Sequence, residues 1–140
     1  MNEEYLIGLD EYKELDESSP LGYTRDIRTC ICALLHKENS TILMHIEAYD
    51  DSDIKLSKFK DLLTEEVKLC QLFVGPSTTK INLDLVTRLV SNYQISVEVY
   101  QAFVSYSNEV AVGYDYNKKE YYGVSMYKGI PEFQKKLLQK

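Results

Sequence analysis

Short apolar runs separated by polar turns dominate the N-terminal half of the chain. Residues 30–36 and 41–48 are two such runs, and the four polar positions between them fit the loop of a β-hairpin. The apolar run at 6–9 indicates a first strand. Residues 10–22 are mostly polar and contain a proline and a glycine, which indicates mostly a loop. The pattern therefore predicts three strands before the first helix.

Helical spacing follows the acidic segment after this hairpin. Asp53 is expected to cap a helix that begins at Ile54, because apolar residues then recur three to five positions apart as far as Val67. A second helix is expected over 83–93, with Asn82 as its cap and its apolar face turned inward.

Further strands and a last helix complete the predicted order. Nearly continuous apolar residues at 70–74 are typical of a buried strand, and residues 95–104 indicate a longer one. Residues 109–114 and 120–125 predict a second hairpin, and Pro131 suits the first turn of a final helix. The order β-β-β-α-β-α-β-β-β-α favours an α+β fold, a layered sandwich of mixed β-sheets with flanking helices.

Composition narrows the classes of function. The chain has 140 residues, of which 44% are hydrophobic, so we expect a single domain over residues 1–140. A net charge of −6 without any basic block argues against nucleic acid and against an anionic membrane as partners. No apolar stretch approaches the roughly 20 residues that cross a bilayer, and the acidic N-terminus does not resemble a secretory signal. No glycine-rich phosphate loop follows a strand, so no nucleotide cofactor is expected.

The cysteines indicate a reducing compartment. Cys30, Cys32 and Cys70 are odd in number, and a bridge between the first two would be strained on one strand. We expect free thiols, with Cys70 in the core, and a cytoplasmic location. The cytosol could also be that of a host cell, reached without a signal peptide. Two histidines and one plausible thiol do not form a complete zinc set, so no metal is expected.

The first hairpin can bring a cysteine close to a histidine. If residues 36 and 41 are the innermost pair, His45 lies opposite Cys32 and diagonal to Cys30 on the same face. A thiol and an imidazole placed in this way suit the nucleophile and the base of a cysteine hydrolase. They also suit plain core packing, and the register alone does not choose between the two cysteines. His36, at the edge of the turn, is expected to be solvated.

Several short motifs in the first two-thirds of the chain follow one another in the order seen in a known protein family. LIGLDEY at 6–12 is followed by Thr24, by Cys30 at the start of an apolar strand, and by His45 in ILMHIE. From Tyr5 to about residue 104 the chain resembles the CheD family of chemoreceptor glutamine deamidases. It is similar also to deamidase toxins of the cytotoxic necrotising factor type and to protein N-terminal asparagine amidohydrolases. The amidohydrolases share the TC step and a tail like GYDYNKKEYYG.

The resemblance implies a CheD-like and deamidase-toxin-like fold, and hydrolysis of a side-chain carboxamide to a carboxylate and ammonia. Cys30 would be the nucleophile, His45 its base, and Thr24 the group that orients the imidazole. Backbone N–H groups near Arg28 and Thr29 would stabilise the oxyanion. The family usually has small residues before the cysteine, whereas this chain has Ile-Arg-Thr, so the loop is expected to differ in shape.

The same resemblance suggests the mouth of the site and its partner. A possible pocket rim consists of Tyr5, Tyr23, Tyr49, Ser77 and Thr78. The expected partner is a protein substrate that carries a target glutamine, and no cofactor is required. The alternatives are an N-terminal asparagine or glutamine amidohydrolase, and a catalytically inactive binding domain of the same fold that docks through its acidic surface.

Overall fold

The computed structural model describes residues 5–47, 56–102 and 110–122. Within these ranges the chain forms eight strands and two helices. The strands are β1 (Tyr12–Leu15), β2 (Leu21–Arg25), β3 (Ile31–His36), β4 (Thr41–Ile46), β5 (Leu69–Val74), β6 (Ser96–Gln101), β7 (Ala111–Asp115) and β8 (Glu120–Tyr122). The helices are α1 (Ser57–Leu62) and α2 (Lys80–Ser91).

The strands form two sheets. The larger has the order β1-β4-β3-β5-β6, and its pairs are antiparallel except β5 with β6, which α2 connects. The smaller is antiparallel, with the order β2-β7-β8. The described residues therefore form an α+β fold with one mixed and one antiparallel sheet, and the predicted fold class is confirmed at this level.

Strand β3 shows how the layers are arranged. Because successive side chains of a strand point to opposite faces, Ile31, Ala33 and Leu35 join the helical side of the large sheet, where Phe59 and Val86 also pack. The other face of β3 joins the layer between the two sheets, which consists of Ile7, Leu15, Ile27, Cys30, Cys32, Leu34, Leu43, Phe73, Ala102, Val110, Val112 and Tyr114. A strand buried on both faces needs a continuous apolar run, which is what β3 has.

The predicted register of the first hairpin is confirmed. His36 pairs with Thr41, and Cys32 pairs with His45. The loop closes through a 2.9 Å hydrogen bond from Lys37 N to the carbonyl oxygen of Ser40. His45 therefore points into the layer between the sheets.

The N-terminal region differs from the prediction. Residues 6–9 form no strand, and a single bridge joins Leu6 to Tyr23. Strand β1 and the start of β2 instead lie within residues 10–22, which were predicted to be mostly loop. This edge strand buries only one of its four residues, Leu15, so its sequence is mostly polar and did not indicate a strand.

Both helices differ in their bounds. Helix α1 begins at Ser57, and Val67, predicted to be helical, is buried in the turn that precedes β5. Residues 48–55, which include the predicted cap Asp53 and helix start Ile54, lie outside the described residues.

Helix α2 begins earlier than predicted because Thr79 is its cap. The Thr79 hydroxyl accepts a hydrogen bond from Asn82 N, so Asn82, the predicted cap, lies in the first turn. Tyr93, predicted to point inward, follows the end of the helix and is 47% exposed.

The C-terminal predictions are tested only in part. The second hairpin forms between β7 and β8, while residues 123–125 and the helix expected from Pro131 lie outside the described residues. Strand β6 ends at Gln101, and residues 103 and 104 are likewise outside. In the ranges that the structure describes, no helix combines the length and the apolar character that a membrane span needs.

Candidate active site

Three residues from separate parts of the sequence come together at one end of the layer between the sheets. Thr24 lies on β2, Cys30 precedes β3, and His45 lies on β4. All three are buried, with exposed fractions of 0%, 5% and 3%. The small sheet thus supplies the threonine, and the large sheet supplies the histidine with the cysteine beside it.

Hydrogen bonds determine which nitrogen of His45 carries a proton. The Thr24 hydroxyl donates to the carbonyl oxygen of Ile7 at 2.7 Å, which uses its one hydrogen. Thr24 Oγ1 also lies 2.7 Å from His45 Nδ1, and toward this nitrogen it can only accept. Nδ1 therefore carries the proton, and Nε2 of the neutral ring carries a lone pair.

Nε2 of His45 is buried and has no hydrogen-bond partner among the described residues. Leaving a buried polar atom unpaired typically costs about 1–3 kcal/mol, so such an atom in a native fold calls for an explanation. His45 and Cys30 line the same pocket. The lone pair of Nε2 is therefore placed to receive a proton from a group in or beside this pocket.

The pocket has a volume of about 520 Å³ and is open to the surface. One wall is the segment 6–9, and the other is formed by residues between Arg25 and Cys30. A volume in this range accommodates a small ligand or an extended side chain. A carboxamide that enters the pocket would lie against a wall to which Cys30 and His45 both contribute.

The thiol and the imidazole are both neutral at rest. Burial raises the pKa of Cys30; a hydrogen bond from the Thr29 side chain opposes this, and the carboxylates of Glu47, Asp10 and Asp26 reinforce it. Burial lowers the pKa of His45 below its ordinary value of 6.5, against the opposing effect of Asp10 and Asp26. These shifts favour a neutral thiol and a neutral imidazole over a thiolate–imidazolium pair.

Backbone hydrogen bonds from the N-terminal segment hold His45 in place. Asp10 N donates to the carbonyl oxygen of His45 at 2.8 Å, and His45 N donates to that of Glu11 at 3.2 Å. The Asp10 carboxylate accepts a hydrogen bond from Glu47 N at 3.1 Å. Asp10 has φ 57°, a conformation that Asp adopts more readily than most residues. Sequence reasoning missed this residue, since it lay in a segment predicted to be loop.

The loop before Cys30 is supported from its outer side. Ser77 N donates to the carbonyl oxygen of Arg28 at 2.8 Å, and the Thr78 hydroxyl donates to that of Cys30 at 2.8 Å. Ser77 and Thr78 do not line the pocket but hold this loop against it. Gly75 has to be a glycine here, because a Cβ would overlap the carbonyl oxygen of Ile27.

This support orients the peptide groups of the candidate oxyanion loop. In a trans peptide the C=O and the following N–H point in opposite directions. Since the Arg28 carbonyl points to Ser77, the Thr29 N–H points away from that outer loop. Arg28 and Thr29 both line the pocket, as the oxyanion assignment requires of them.

Two of the three predicted rim tyrosines lie elsewhere. Tyr23 is 3% exposed within β2 and pairs with Gly113, and Tyr5 packs near Lys13, whose Nζ is 5.4 Å from the ring centre. Neither lines the pocket, and Tyr49 lies outside the described residues. Asp26 is a pocket residue that sequence reasoning missed. An aspartate directly after a strand is a weak signal for the left-handed turn it forms.

His36 is not solvated as predicted. It is half-buried at the other end of the same layer, and both of its ring nitrogens have partners: Nε2 lies 2.7 Å from Gln71 Oε1, and Nδ1 lies 3.0 Å from Thr41 Oγ1. The prediction was wrong because β8 and its turn cover the end of the hairpin. Their presence is visible in the contact of His36 with the Tyr121 ring, 6.3 Å between centroids.

Within the described ranges, no three His, Cys, Asp or Glu side chains are arranged to hold a metal ion.

Neither a comparison with models of known protein families nor a search of curated proteins finds a match to this sequence.

Proposed function

We propose that this protein is a glutamine deamidase of the CheD-like kind, which hydrolyses the side-chain carboxamide of a protein substrate. One observation carries the proposal: a pocket joins a buried thiol to an imidazole whose Nδ1 is held by Thr24 and whose Nε2 has no partner among the described residues. The order of Thr24, Cys30 and His45 in the sequence supports the same assignment.

The proposed reaction begins with general-base catalysis. His45 Nε2 takes the proton of Cys30 as the sulfur attacks the carboxamide carbon. The carboxamide oxygen becomes an oxyanion, which the Thr29 N–H would stabilise. The imidazolium then gives its proton to the amide nitrogen, and the C–N bond breaks. Ammonia departs, and the acyl group remains on Cys30 as a thioester.

Hydrolysis of the thioester completes the cycle. His45 takes a proton from water, whose oxygen attacks the thioester carbon. The C–S bond breaks, glutamate is released, and Cys30 regains its proton from the imidazolium. Thr24 keeps the imidazole in the tautomer that both steps require. The lowered pKa of His45 keeps the base neutral near pH 7, so a preformed thiolate is not needed.

A cysteine pair within the chain provides a matched test. We expect wild-type protein to release ammonia from a library of glutamine-containing peptides and to produce the mass change of replacing NH2 by OH. Cys30→Ser should abolish both signals, while Cys32→Ser should retain most of the activity. Cys32 pairs with His45 in the register, but it is fully buried and does not line the pocket.

The alternative is the inactive binding domain. The raised pKa of Cys30, and the lack of any hydrogen bond donated to His45 Nε2 among the described residues, favour it over a site with a preformed thiolate. It predicts that wild type and Cys30→Ser give the same background ammonia release. The three buried free thiols support a reducing cytosol as the place of work, whether that of the producer or that of a host.

A further inference from the structure

Cys30 lies one residue before the paired part of its strand. The register of β3 begins at Ile31, which pairs with Ile46 of β4 and with Val74 of β5. Strand pairing therefore fixes the backbone of Ile31 on both sides but does not include the residue before it. The position of the Cys30 thiol relative to His45 consequently depends on contacts outside the strand ladders.

The hydroxyl of Thr78 makes one such contact. Its Oγ1 donates a hydrogen bond to the carbonyl oxygen of Cys30 at 2.8 Å and accepts one from Gly75 N at 2.8 Å. Because the Gly75 N–H can only donate, the single hydroxyl hydrogen is committed to the Cys30 carbonyl. Thr78 N also donates to the carbonyl oxygen of Gly75 at 3.3 Å, which closes the turn. The hydroxyl thus ties the peptide group of Cys30 to the turn that follows β5.

This turn starts from the interior of the large sheet. Gly75 is buried and directly follows β5, which lies between β3 and β6. The carbonyl oxygen of Val74, the last residue of β5, accepts a hydrogen bond from Ala102 N at 2.8 Å. His45 lies on β4 of the same sheet. The Thr78 hydroxyl therefore holds the Cys30 backbone against the sheet that carries the proposed base.

Both proposed reacting residues are held by a threonine hydroxyl in the same way. Thr24 accepts from His45 Nδ1 and donates to a backbone carbonyl. Thr78 accepts from a backbone N–H and donates to the carbonyl of Cys30. In each case the one hydrogen of the hydroxyl has a fixed acceptor, so the hydroxyl holds two groups at once. Thr24 orients the ring of the base, and Thr78 orients the backbone of the nucleophile.

We propose that Thr78 is a positioning residue, whose hydroxyl holds the Cys30 thiol in the place from which it attacks the carboxamide. The inference rests on the proposed hydrolysis. Thr78 does not line the pocket, so it acts through Cys30 and not on the substrate. Removal of its hydroxyl should therefore lower kcat and leave KM nearly unchanged.

The kinetic test compares three variants in ammonia release from glutamine peptides. Thr78→Val keeps the shape of the side chain but removes the hydroxyl. We expect its kcat to fall about 10–100-fold, as a displacement of about 1 Å at a reacting group does, with KM within about twofold of wild type. Thr78→Ser retains the hydroxyl and should restore most of kcat. Thr78→Ala takes the place of the valine variant if circular dichroism shows that the latter does not fold.

Thr79→Val separates positioning from a general loss of stability. Thr79 is the exposed neighbour of Thr78 and caps α2 by accepting from Asn82 N at 3.2 Å. Its hydroxyl makes the same kind of local bond but has no contact with Cys30 among those described. Thr79→Val should therefore lower the urea midpoint, as loss of a helix cap does, and keep the kcat of wild type.

A spectroscopic measurement tests the contact without any turnover. Cys30–Ile31 is the one Cys–Ile step in the sequence. Protein labelled with ¹³C at the cysteine carbonyls and with ¹⁵N in isoleucine therefore gives a single HNCO peak, which reports the Cys30 carbonyl. Thr78→Val should move its ¹³C resonance upfield, because the carbonyl loses a hydrogen bond. Thr78→Ser and Thr79→Val should leave it near the wild-type position.

The outcomes separate this inference from the proposed hydrolysis. A wild-type kcat in folded Thr78→Val, an equal loss of kcat in Thr79→Val, or an unchanged Cys30 carbonyl resonance in Thr78→Val overturns the positioning role alone. No turnover by wild type above the Cys30→Ser background overturns the hydrolase and the positioning role with it.

Discussion

The two histidines of the β3–β4 hairpin lie in the same layer between the sheets but have opposite hydrogen-bonding patterns. His36 has a partner on each nitrogen, Gln71 and Thr41. His45 has Thr24 on Nδ1 and no described partner on Nε2, although it is the more deeply buried of the two. Burial lowers the pKa of both rings. They therefore differ in what the second nitrogen can do, and not in charge.

His36 belongs to a chain of side-chain hydrogen bonds in which each member has a partner. Gln71 accepts from His36 through Oε1 and donates through Nε2 to Glu98 at 2.9 Å, and the Tyr100 hydroxyl donates to the same carboxylate oxygen at 2.8 Å. A chain in which each member has a partner holds strands together but has no lone pair to offer. An unpaired buried nitrogen costs stability. The contrast indicates a structural role for His36 and agrees with the proposed role of His45 as a base.

Substitution of each histidine by glutamine tests this contrast most directly. His45→Gln removes the proposed general base, and we expect turnover of glutamine peptides to fall by about 10²–10⁴-fold. His36→Gln should keep most of the turnover and lose stability, because removal of the ring leaves Gln71 and Thr41 without their partner, at about 1–3 kcal/mol. Ammonia release and urea-induced unfolding measure the two quantities.

The two variants serve as controls for each other. If His36→Gln loses activity as completely as His45→Gln while both remain folded by circular dichroism, the division between a structural and a reactive histidine is wrong. A loss of structure in both variants would be distinguished by the unfolding curves.

Thr24 tests whether the partner of Nδ1 matters for the reactivity of Nε2. Thr24→Val keeps the shape of the side chain but removes the acceptor, so the neutral ring is no longer held in one tautomer. We expect turnover to fall about 10–100-fold, the range known for hydrogen-bond partners that orient a metal-bound imidazole. The ¹⁵N chemical shifts of the His45 ring should show loss of the Nδ1–H form.

Thr24→Ser is the matched control. It retains the hydroxyl that donates to Ile7 and accepts from Nδ1, so it should restore both the tautomer and most of the turnover. Equal activity in the valine and serine variants would show that Thr24 only fills space.

The sequence predicted the placement of His45 relative to the cysteines, because strand register sets it. The runs of β3 and β4 are apolar on both faces and joined by a short loop, so pairing Cys32 with His45 followed from the loop length alone. The threonine could not be found in this way. Its strand was read in part as a loop, and only the resemblance pointed to Thr24.

The residues that the sequence missed depend on tertiary contacts. Asp10 and Asp26 lie in left-handed conformations whose positions are set by β4 and by Val110, and neither of these left-handed residues is a glycine. Ser77 and Thr78 were predicted to form part of the pocket rim, but they contact the back of the Cys30 loop instead, which the sequence could not indicate. Which side of a loop faces a pocket is determined by packing partners distant in sequence.

Substitution of Gly75 tests whether the proposed activity at the His45 end of the layer depends on the position of the Cys30 loop. In Gly75→Ala the new Cβ overlaps the Ile27 carbonyl, and backbone atoms have to move. We expect a loss of about 1–3 kcal/mol in the free energy of unfolding. We also expect slower turnover, because the Thr29 N–H and the thiol shift together. Gly22→Ala is the control, since its Cβ meets flexible Leu15 methyls at 3.0 and 3.4 Å. Equal effects of the two substitutions would contradict the constraint on this loop.

The smallest expected effect is a pH dependence that the two histidines share. Burial holds the pKa of each below 6.5, so below this pH the unfolded chain binds protons that the folded chain does not. Stability should therefore fall as pH falls from 6.5 to 5, by at most about 1.4 kcal/mol per pH unit for each proton taken up. Glu14, Asp16 and Glu98 have lowered pKa values, and the stability they contribute is lost mainly below about pH 4.5, so most of this window reports on the histidines. Urea midpoints across the window should change less in His36→Gln and in His45→Gln than in wild type. A wild-type slope unchanged in both variants would show that other groups take up the protons.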